Sequence, residues 1–183
     1  MLIGATAGAF AAAQVNAPLG YGAAIGAVAG LLPDIDHPGS TLGSRLPRAY
    51  HLLTPGHRGP THTVEWCALV AWGLAQLLGL AGAPEWAVTL LGWGVFAGAV
   101  SHLVADLMTE QGIPGTILLV IAYKIRAAPF WARRGRIRLP RWLAIRTGGW
   151  AEPLVTGLAV LAGIVTIGGW WPQVSGWVST RLG

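Results

Sequence analysis

The stretches Val64–Leu80, VEWCALVAWGLAQLLGL, and Trp86–Val104, WAVTLLGWGVFAGAVSHLV, decide the fold of this chain. Each is close to the roughly 20 apolar residues that an α-helix needs to cross the hydrocarbon core of a bilayer. The short turn Ala81-Gly82-Ala83-Pro84 separates them, and turns of this composition end helices. The two stretches therefore predict an antiparallel pair of membrane helices.

Apolar residues also dominate the rest of the chain. Of its 183 residues, 54% are hydrophobic and 10% are charged, against about 25% charged residues in soluble domains. Pro153–Trp171 is long enough to span a bilayer, whereas Leu2–Gln14 and Leu19–Leu32 are short and suit partly re-entrant helices. We predict an all-α fold: a polytopic membrane helical bundle of about four to five hydrophobic helical segments, with residues 1–183 forming a single integral membrane domain.

Glycines recur at four-residue spacing in one of the short stretches. Gly22, Gly26 and Gly30 predict a smooth helix face suited to close helix packing, and Gly94 and Gly98 form a similar pair. For the second pair, a flexible or lipid-facing role is equally compatible with the sequence.

Two polar loops lie on one side of the predicted membrane. They cover residues 33–63 and 109–152, and two consecutive crossings separate them. Eight of the twelve lysines and arginines lie between Lys124 and Arg146, and an excess of positive charge marks cytoplasmic loops. Both loops are therefore predicted to face the cytoplasm, with the second binding anionic lipid headgroups. It contains no nucleic-acid recognition motif, so direct binding of nucleic acid is not predicted.

Three polar clusters interrupt the apolar sequence. They are Asp34-Ile35-Asp36-His37, His57-Arg58-Gly59-Pro60-Thr61-His62 and His102 to Asp106. The predicted topology gathers them at one membrane–cytoplasm boundary, where ionisable residues are costly and therefore indicate a function. The single cysteine, Cys67, excludes a cysteine-rich zinc finger and leaves histidines and carboxylates as ligands. The clusters therefore predict one metal site on the cytoplasmic face.

Each cluster also has a simpler explanation when it is taken alone. His102 and Asp106 share one helix face, and a hydrogen bond between them is the more common role of such a pair. Asp34 and Asp36 fit an ordinary turn, and Arg58 fits a contact with lipid headgroups. Their common location favours the metal site over these separate explanations.

The residue types in the clusters suit metal-dependent hydrolysis. Mixed imidazole and carboxylate ligands favour Zn²⁺, with Mn²⁺ or Fe²⁺ also compatible, and one or more ions would activate water. Arg58 cannot bind a metal, but its guanidinium suits the charge that develops on a phosphate. Asp36, Glu65 or Asp106 could accept the water proton, although an acid at a helix start is the simpler explanation of Glu65.

The clusters resemble a known family in their order and spacing. The match runs through residues 31–38, LLPDIDHP, then residues 57–63, HRGPTHT, then residues 101–109, SHLVADLMT, and the following Gly112-Ile113-Pro114. These residues resemble the YdjM-type family of inner-membrane-associated metal-dependent hydrolases, also described as LexA-binding. The resemblance covers residues 31–155 and implies an α-helical integral protein of the bacterial or archaeal cytoplasmic (inner) membrane.

The resemblance also implies a ligand set, because the family looks distantly similar to zinc-dependent phospholipases C and related nucleases. Carried over residue by residue, the metal-site candidates are Asp34, Asp36, His37, His57, His62, His102 and Asp106, with Arg58 near the substrate. Many relatives begin with a Thr-His pair in the first helix, whereas Leu2–Gln14 contains Thr6 and no histidine. One ligand of the family pattern is therefore absent here.

Two functions are compatible with these observations. The first is a membrane-embedded metal-dependent hydrolase, similar to a phosphoesterase or phospholipase, that cleaves a phosphoester of a lipid or another amphipathic substrate with metal-activated water. The second is a non-catalytic membrane binding or scaffold protein with a structural metal site. Its basic cytoplasmic loop would hold anionic lipid or a cytosolic regulator.

Overall fold

The computed structural model describes residues 1–45, 59–114 and 153–165, together with residues 116, 136, 137, 139, 140, 144–146, 149 and 151. Within these residues the regular structure is helical and contains no β-strand, which confirms the predicted all-α class. Two isolated bridges pair Thr109 with Ile145 and Ile113 with Ile137. The α-helices are α1 (Leu2–Gln14), α2 (Leu19–Ala29), α3 (Val64–Leu80), α4 (Glu85–Leu107) and α5 (Pro153–Val165).

The helix bounds agree with the apolar pattern in most places. Helices α1 and α3 have the predicted bounds, whereas α4 continues past Val104 and carries both His102 and Asp106. Helix α2 is shorter than predicted, because Gly30 follows it and a short 3₁₀ helix, Pro33–Asp36, begins with a proline. The predicted stretch that begins at Pro153 is helical as far as Val165, and its remainder lies outside the described residues.

One helix in the described part of the chain is long and apolar enough to cross a membrane. This is α4, with 23 residues. Helices α1, α3 and α5 are apolar but shorter, so the predicted four to five crossings are not established. Large apolar side chains nevertheless lie exposed on the outer faces of α3 and α5, including Leu69, Trp72, Leu158 and Leu161.

Glycines bring α1, α2 and α4 to backbone contact. Gly4 and Gly8 of α1 face Gly22 and Gly26 of α2, and a Cβ atom added at any of these positions would overlap the facing backbone. Gly98 of α4 also packs on this surface, since its Cβ would lie 2.8 Å from the Cα atom of Gly26. The close-packing interpretation of these glycines is therefore confirmed, as is usual for small residues at helix interfaces.

This packing positions the polar clusters. Ala29, Ala71 and Val95 form a buried group that joins α2, α3 and α4. The segment Pro33–Asp36 after α2 consequently contacts both the segment Pro60–His62 before α3 and helix α4. The segments that carry Asp34, His62 and His102 meet there.

Candidate metal centre

The segment after α2 is folded back by a serine. The Ser40 hydroxyl donates a hydrogen bond to the carbonyl oxygen of Asp34 at 2.6 Å and accepts one from the Gly43 N–H at 2.9 Å. Because the backbone of Asp34 is tied in this way, its carboxylate has a defined position beside the helices.

The segment before α3 is held by a helix cap. The Thr63 hydroxyl accepts a hydrogen bond from the Trp66 N–H at 3.3 Å and donates one to the Pro60 carbonyl oxygen at 2.7 Å. A threonine that satisfies a free N–H group at a helix start stabilises that start. His62 directly precedes this cap and is fully buried, so its ring position is set by the start of α3.

Four side chains converge where these segments meet α4, and we call Asp34, His62, His102 and Asp106 the metal cluster. The Nε2 atom of His62 lies 3.3 Å from Asp106 Oδ2 and 3.6 Å from Asp34 Oδ1. The Nε2 atom of His102 lies 3.5 Å from each of the same two oxygens. The candidate ligand atoms of Asp34, His62 and His102 all lie within 4.8 Å of one another.

These separations fit ligands around an ion better than hydrogen bonds. A nitrogen–oxygen hydrogen bond usually spans about 2.7–3.2 Å. Zinc bonds of about 2.0–2.2 Å in a tetrahedral site place neighbouring ligand atoms about 3.3–3.6 Å apart. The four distances of 3.3 to 3.6 Å within the metal cluster match that spacing.

The donor set also fits a divalent cation. Two carboxylates and two neutral imidazoles carry two negative charges, which a divalent ion neutralises in a poorly solvated location. Among the described residues, His102 Nε2 is buried without a hydrogen-bond partner, and a buried polar atom of this kind calls for a further partner such as an ion. Asp34, His62 and His102 would hold the ion, and Asp106 is placed to complete the set.

The hydrogen bonds behind His62 select its ligating nitrogen. The Thr61 hydroxyl donates its single hydrogen to Asp36 Oδ2 at 2.6 Å, so it can only accept from His62 Nδ1, which lies 3.2 Å away. A hydrogen on Nδ1 leaves the Nε2 lone pair directed at the metal cluster. Such support behind a ligating histidine fixes its orientation and raises its basicity.

Asp36 supports the histidine from behind and does not face the other ligands. Its Oδ2 atom lies 3.5 Å from His62 Nδ1 and also accepts the Gly59 N–H at 3.3 Å. Burial would raise the pKa of the Asp36 carboxyl, but hydrogen bonds from His62 and Thr61 outweigh burial and lower that pKa to about 2. An ionised Asp36 therefore holds the proton on His62 Nδ1.

The charges within the metal cluster stabilise one another when no ion is bound. Burial would raise the pKa of Asp34, but the facing imidazoles of His102 and His62 hold it well below its usual range. Burial would lower the pKa of His62, but Asp34 and Asp36 outweigh burial and raise it. A proton and an incoming ion therefore compete for the same nitrogen of His62.

The other predicted site residues lie elsewhere or outside the described residues. His37 is exposed, and its Nδ1 atom accepts the Gly39 N–H at 3.1 Å. Glu65 is exposed in the first turn of α3. This position agrees with the simpler of its two predicted roles, that of an acid at a helix start. His57 and Arg58 fall in the segment 46–58, which is not described, so their roles stay predictions.

Thr61 is the functional candidate that sequence reasoning missed. It lies in the quoted cluster beside His62, but a lone threonine has many roles and carries no signal by itself. Its 3% exposure and its position between Asp36 and His62 assign it the supporting role.

The metal cluster is closed on one side and open on the other. The His62 side chain is fully buried, whereas 31% of the Asp34 side chain and 20% of the His102 side chain are exposed. Catalytic metal sites keep an accessible position for water or substrate, whereas structural zinc sites are closed. The open side would admit a small molecule to the ion.

Comparisons with known proteins place the chain among membrane proteins. A family model described as YdjM inner membrane protein matches residues 1–174. Inner membrane protein YdjM of Escherichia coli (strain K12) and its counterpart of Shigella flexneri are each 36% identical over 118 residues, 60% of this chain and 48% of theirs. Uncharacterized protein YvsG of Bacillus subtilis (strain 168) is 30% identical over 146 residues, 76% of this chain and 74% of its own. The matched region thus spans about half the length of the first two relatives. No solved structure matches the chain.

Proposed function

The chain belongs to the YdjM inner membrane protein family, and we propose that it is a membrane-embedded metal-dependent hydrolase that cleaves a phosphoester of a lipid or another amphipathic molecule. The observation that carries the proposal is the set of four imidazole–carboxylate distances, 3.3 to 3.6 Å, around a common centre that is open on one side. Zn²⁺ is the favoured ion, and Mn²⁺ and Fe²⁺ also suit these ligands.

The membrane location follows from the family and from the outer faces of the helices. Relatives of the chain are named inner membrane proteins, and α4 is long enough to cross a bilayer. The exposed leucines and tryptophan on α3 and α5 would contact lipid, since apolar patches of this kind mark membrane contact. The positive charge between Lys124 and Arg146 supports a metal cluster that faces the cytoplasm.

The chemistry is the addition of water across a phosphorus–oxygen bond. When bound, the ion lowers the pKa of water and draws charge from the phosphoryl oxygens. The water oxygen bonds to phosphorus as the bond to the leaving oxygen breaks, giving a phosphate monoester or phosphate and an alcohol. Asp106, whose Oδ2 atom faces the imidazoles, would accept the water proton on its other oxygen and return it to the departing alkoxide, while Asp34, His62 and His102 would hold the ion.

The remaining residues act through these groups. Thr61 and Asp36 orient His62 by the hydrogen bonds described above. Arg58, which lies outside the described residues, would stabilise the charge that develops on the phosphate, since its guanidinium can pair with two oxygens. Glu65 is exposed at the start of α3 and is the weaker candidate for accepting a proton.

Metal analysis and a hydrolysis panel on the same preparations test the proposal. The protein is purified in detergent and its metals measured by mass spectrometry, with phosphomonoesters, phosphodiesters and phospholipids offered as substrates. We expect bound Zn²⁺, Mn²⁺ or Fe²⁺ and turnover of at least one class, with both lost in Asp106→Asn. The matched control is Glu110→Gln, a change to the exposed acid after the end of α4.

Two results would contradict the proposal in different ways. Equal metal content in wild type and Asp106→Asn, together with equal turnover, would remove Asp106 from the site. Metal binding without turnover on any substrate would favour the non-catalytic membrane binding protein with a structural ion.

A further inference from the structure

A cleft of about 490 Å³ adjoins the metal cluster. His102 and Asp106 form part of its wall, with Ser101 and Thr109 also contributed by α4 and the residues after it. The opposite walls come from the first turn of α1 and from α5. Its volume falls within the range of about 300–1,000 Å³ that is typical of small-molecule sites.

The walls of the cleft differ in polarity. Leu2 and Ile3 of α1 and Val155 and Ala159 of α5 supply apolar surface, and the two residues of α5 lie one helical turn apart on one face. His102 and Asp106 of the metal cluster supply polar surface, together with the hydroxyl residues Ser101, Thr109 and Thr156. A molecule that fills both parts must itself be amphipathic.

The rim of the cleft is apolar and exposed. Leu2 is 65% exposed and Val104 is 52% exposed, and Val104 lies on α4, the helix that is long enough to cross the bilayer. A hydrocarbon chain loses no hydration when it passes such a rim from surrounding lipid, whereas a polar metabolite must first be desolvated. The cleft therefore suits an occupant that arrives from the membrane.

We propose that this cleft binds one hydrocarbon chain of a membrane amphiphile and thereby places the phosphoester of that molecule against His102 and Asp106. The inference rests on the proposed hydrolase function and names its substrate class and the residues that select it. Val155 and Ala159 are specificity-determining residues, since they contact the chain and not the reacting atoms.

A chain-length series tests this assignment by kinetics. The probes are methyl, butyl and hexyl 4-nitrophenyl phosphodiesters, with kcat/KM measured for each in one detergent. We expect kcat/KM to rise with chain length in wild type, and Ala159→Phe to lower the hexyl value by about tenfold while the methyl value changes less than about twofold. Leu158→Phe is the matched control, because Leu158 lies on the same helix, is exposed and does not line the cleft.

A second variant changes the cleft in the opposite direction. Val155→Ala shortens a side chain of the apolar wall and so enlarges the cleft. We therefore expect kcat/KM to continue rising with chain length further along the series than in wild type. An equal response of Ala159→Phe and Leu158→Phe, or the same chain-length dependence in all variants, would overturn the assignment even though hydrolysis persists.

A binding measurement separates the cleft from the chemistry. A phospholipid with a diazirine in its acyl chain is photolysed with each variant in nanodiscs, and the labelled peptides are identified by mass spectrometry. Labelling of α1 and α5 that is lost in Ala159→Phe and retained in Leu158→Phe supports the cleft, whether or not any substrate is hydrolysed. The absence of hydrolysis would count against the proposed function alone. Uniform labelling of all apolar helices would overturn the cleft.

Discussion

Helix α4 has two neighbours that approach it very differently. Toward α2, Gly98 brings the two backbones into contact, and a single added methyl group would overlap the Gly26 backbone. Toward α5, the same helix borders a cleft of about 490 Å³. The comparison teaches that close packing on one side of a helix can hold in place the groups of the candidate metal centre, which line an open cleft on its other side.

The difference follows from side-chain size at a few positions. Glycines on the closed side allow close backbone approach and the packing energy that comes with it. On the open side, α5 presents Val155 and Ala159 across a gap that they do not fill. Rigidity is thus concentrated where His102 and Asp106 must be placed relative to Asp34 and His62.

Removal of a candidate metal ligand has the largest expected effect. His102→Ala should lower the affinity for Zn²⁺ by more than about 100-fold. Mutation of a residue that only supports a ligand lowers metal affinity by roughly 10–100-fold, and loss of the ligand itself should cost more. Metal content after dialysis against a graded chelator measures this loss. His37→Ala is the control, since that exposed histidine lies outside the metal cluster; a loss of metal in His37→Ala would show that the site extends further.

The second largest effect should come from adding a methyl group to the tight contact between α1 and α2. Gly26→Ala places a methyl group against Gly4 and Gly8 and should destabilise the protein by about 1–3 kcal/mol. Gly20→Ala on the same helix meets no atom within 4 Å and should be neutral or stabilising by about 0.5–1 kcal/mol. Thermal unfolding in detergent, followed by near-ultraviolet circular dichroism, distinguishes them; equal melting temperatures would contradict the close-contact account.

Loss of the hydroxyl behind His62 should weaken the metal site without removing a ligand. Thr61→Val keeps the shape of the side chain but cannot accept from Nδ1, so we expect a 10–100-fold loss of metal affinity, roughly the range for such supporting groups. Thr61→Ser restores the hydroxyl and should recover most of the affinity. Isothermal titration with Zn²⁺ measures both, and equal affinities of Thr61→Val and wild type would exclude the supporting role.

Lowering the pH should release the ion, and the change in metal affinity per pH unit is the smallest of the expected effects. The carboxylates of Asp34 and Asp36 overcome burial and raise the pKa of His62, so below that pKa a proton competes with the ion for Nε2. Affinity should therefore fall as pH falls, by up to about tenfold per pH unit for each proton displaced. Titrations across the neutral range measure the slope, and a pH-independent affinity would show that His62 is not a ligand.

Much of the helical framework could be predicted from the sequence. The runs Leu2–Gln14 and Val64–Leu80 became helices with those bounds, because an uninterrupted apolar stretch between turn residues has few alternatives beside a membrane. The convergence of Asp34, His62, His102 and Asp106 was also predicted, since two consecutive apolar helices joined by a short turn return the chain to the same end. These are consequences of chain order and local composition alone.

Tertiary packing decided which neighbouring groups face the candidate metal centre and which lie behind it. Asp34 and Asp36 are nearly equivalent in sequence, yet the 3₁₀ helix between Pro33 and Asp36 directs Asp34 to the metal cluster and Asp36 to the far nitrogen of His62. The same holds for the roles of Thr61 and His37 and for the cleft beside α5. Such distinctions depend on the direction of each side chain relative to segments far away in the chain. The close packing of α2 and α4 decides only which of those segments meet.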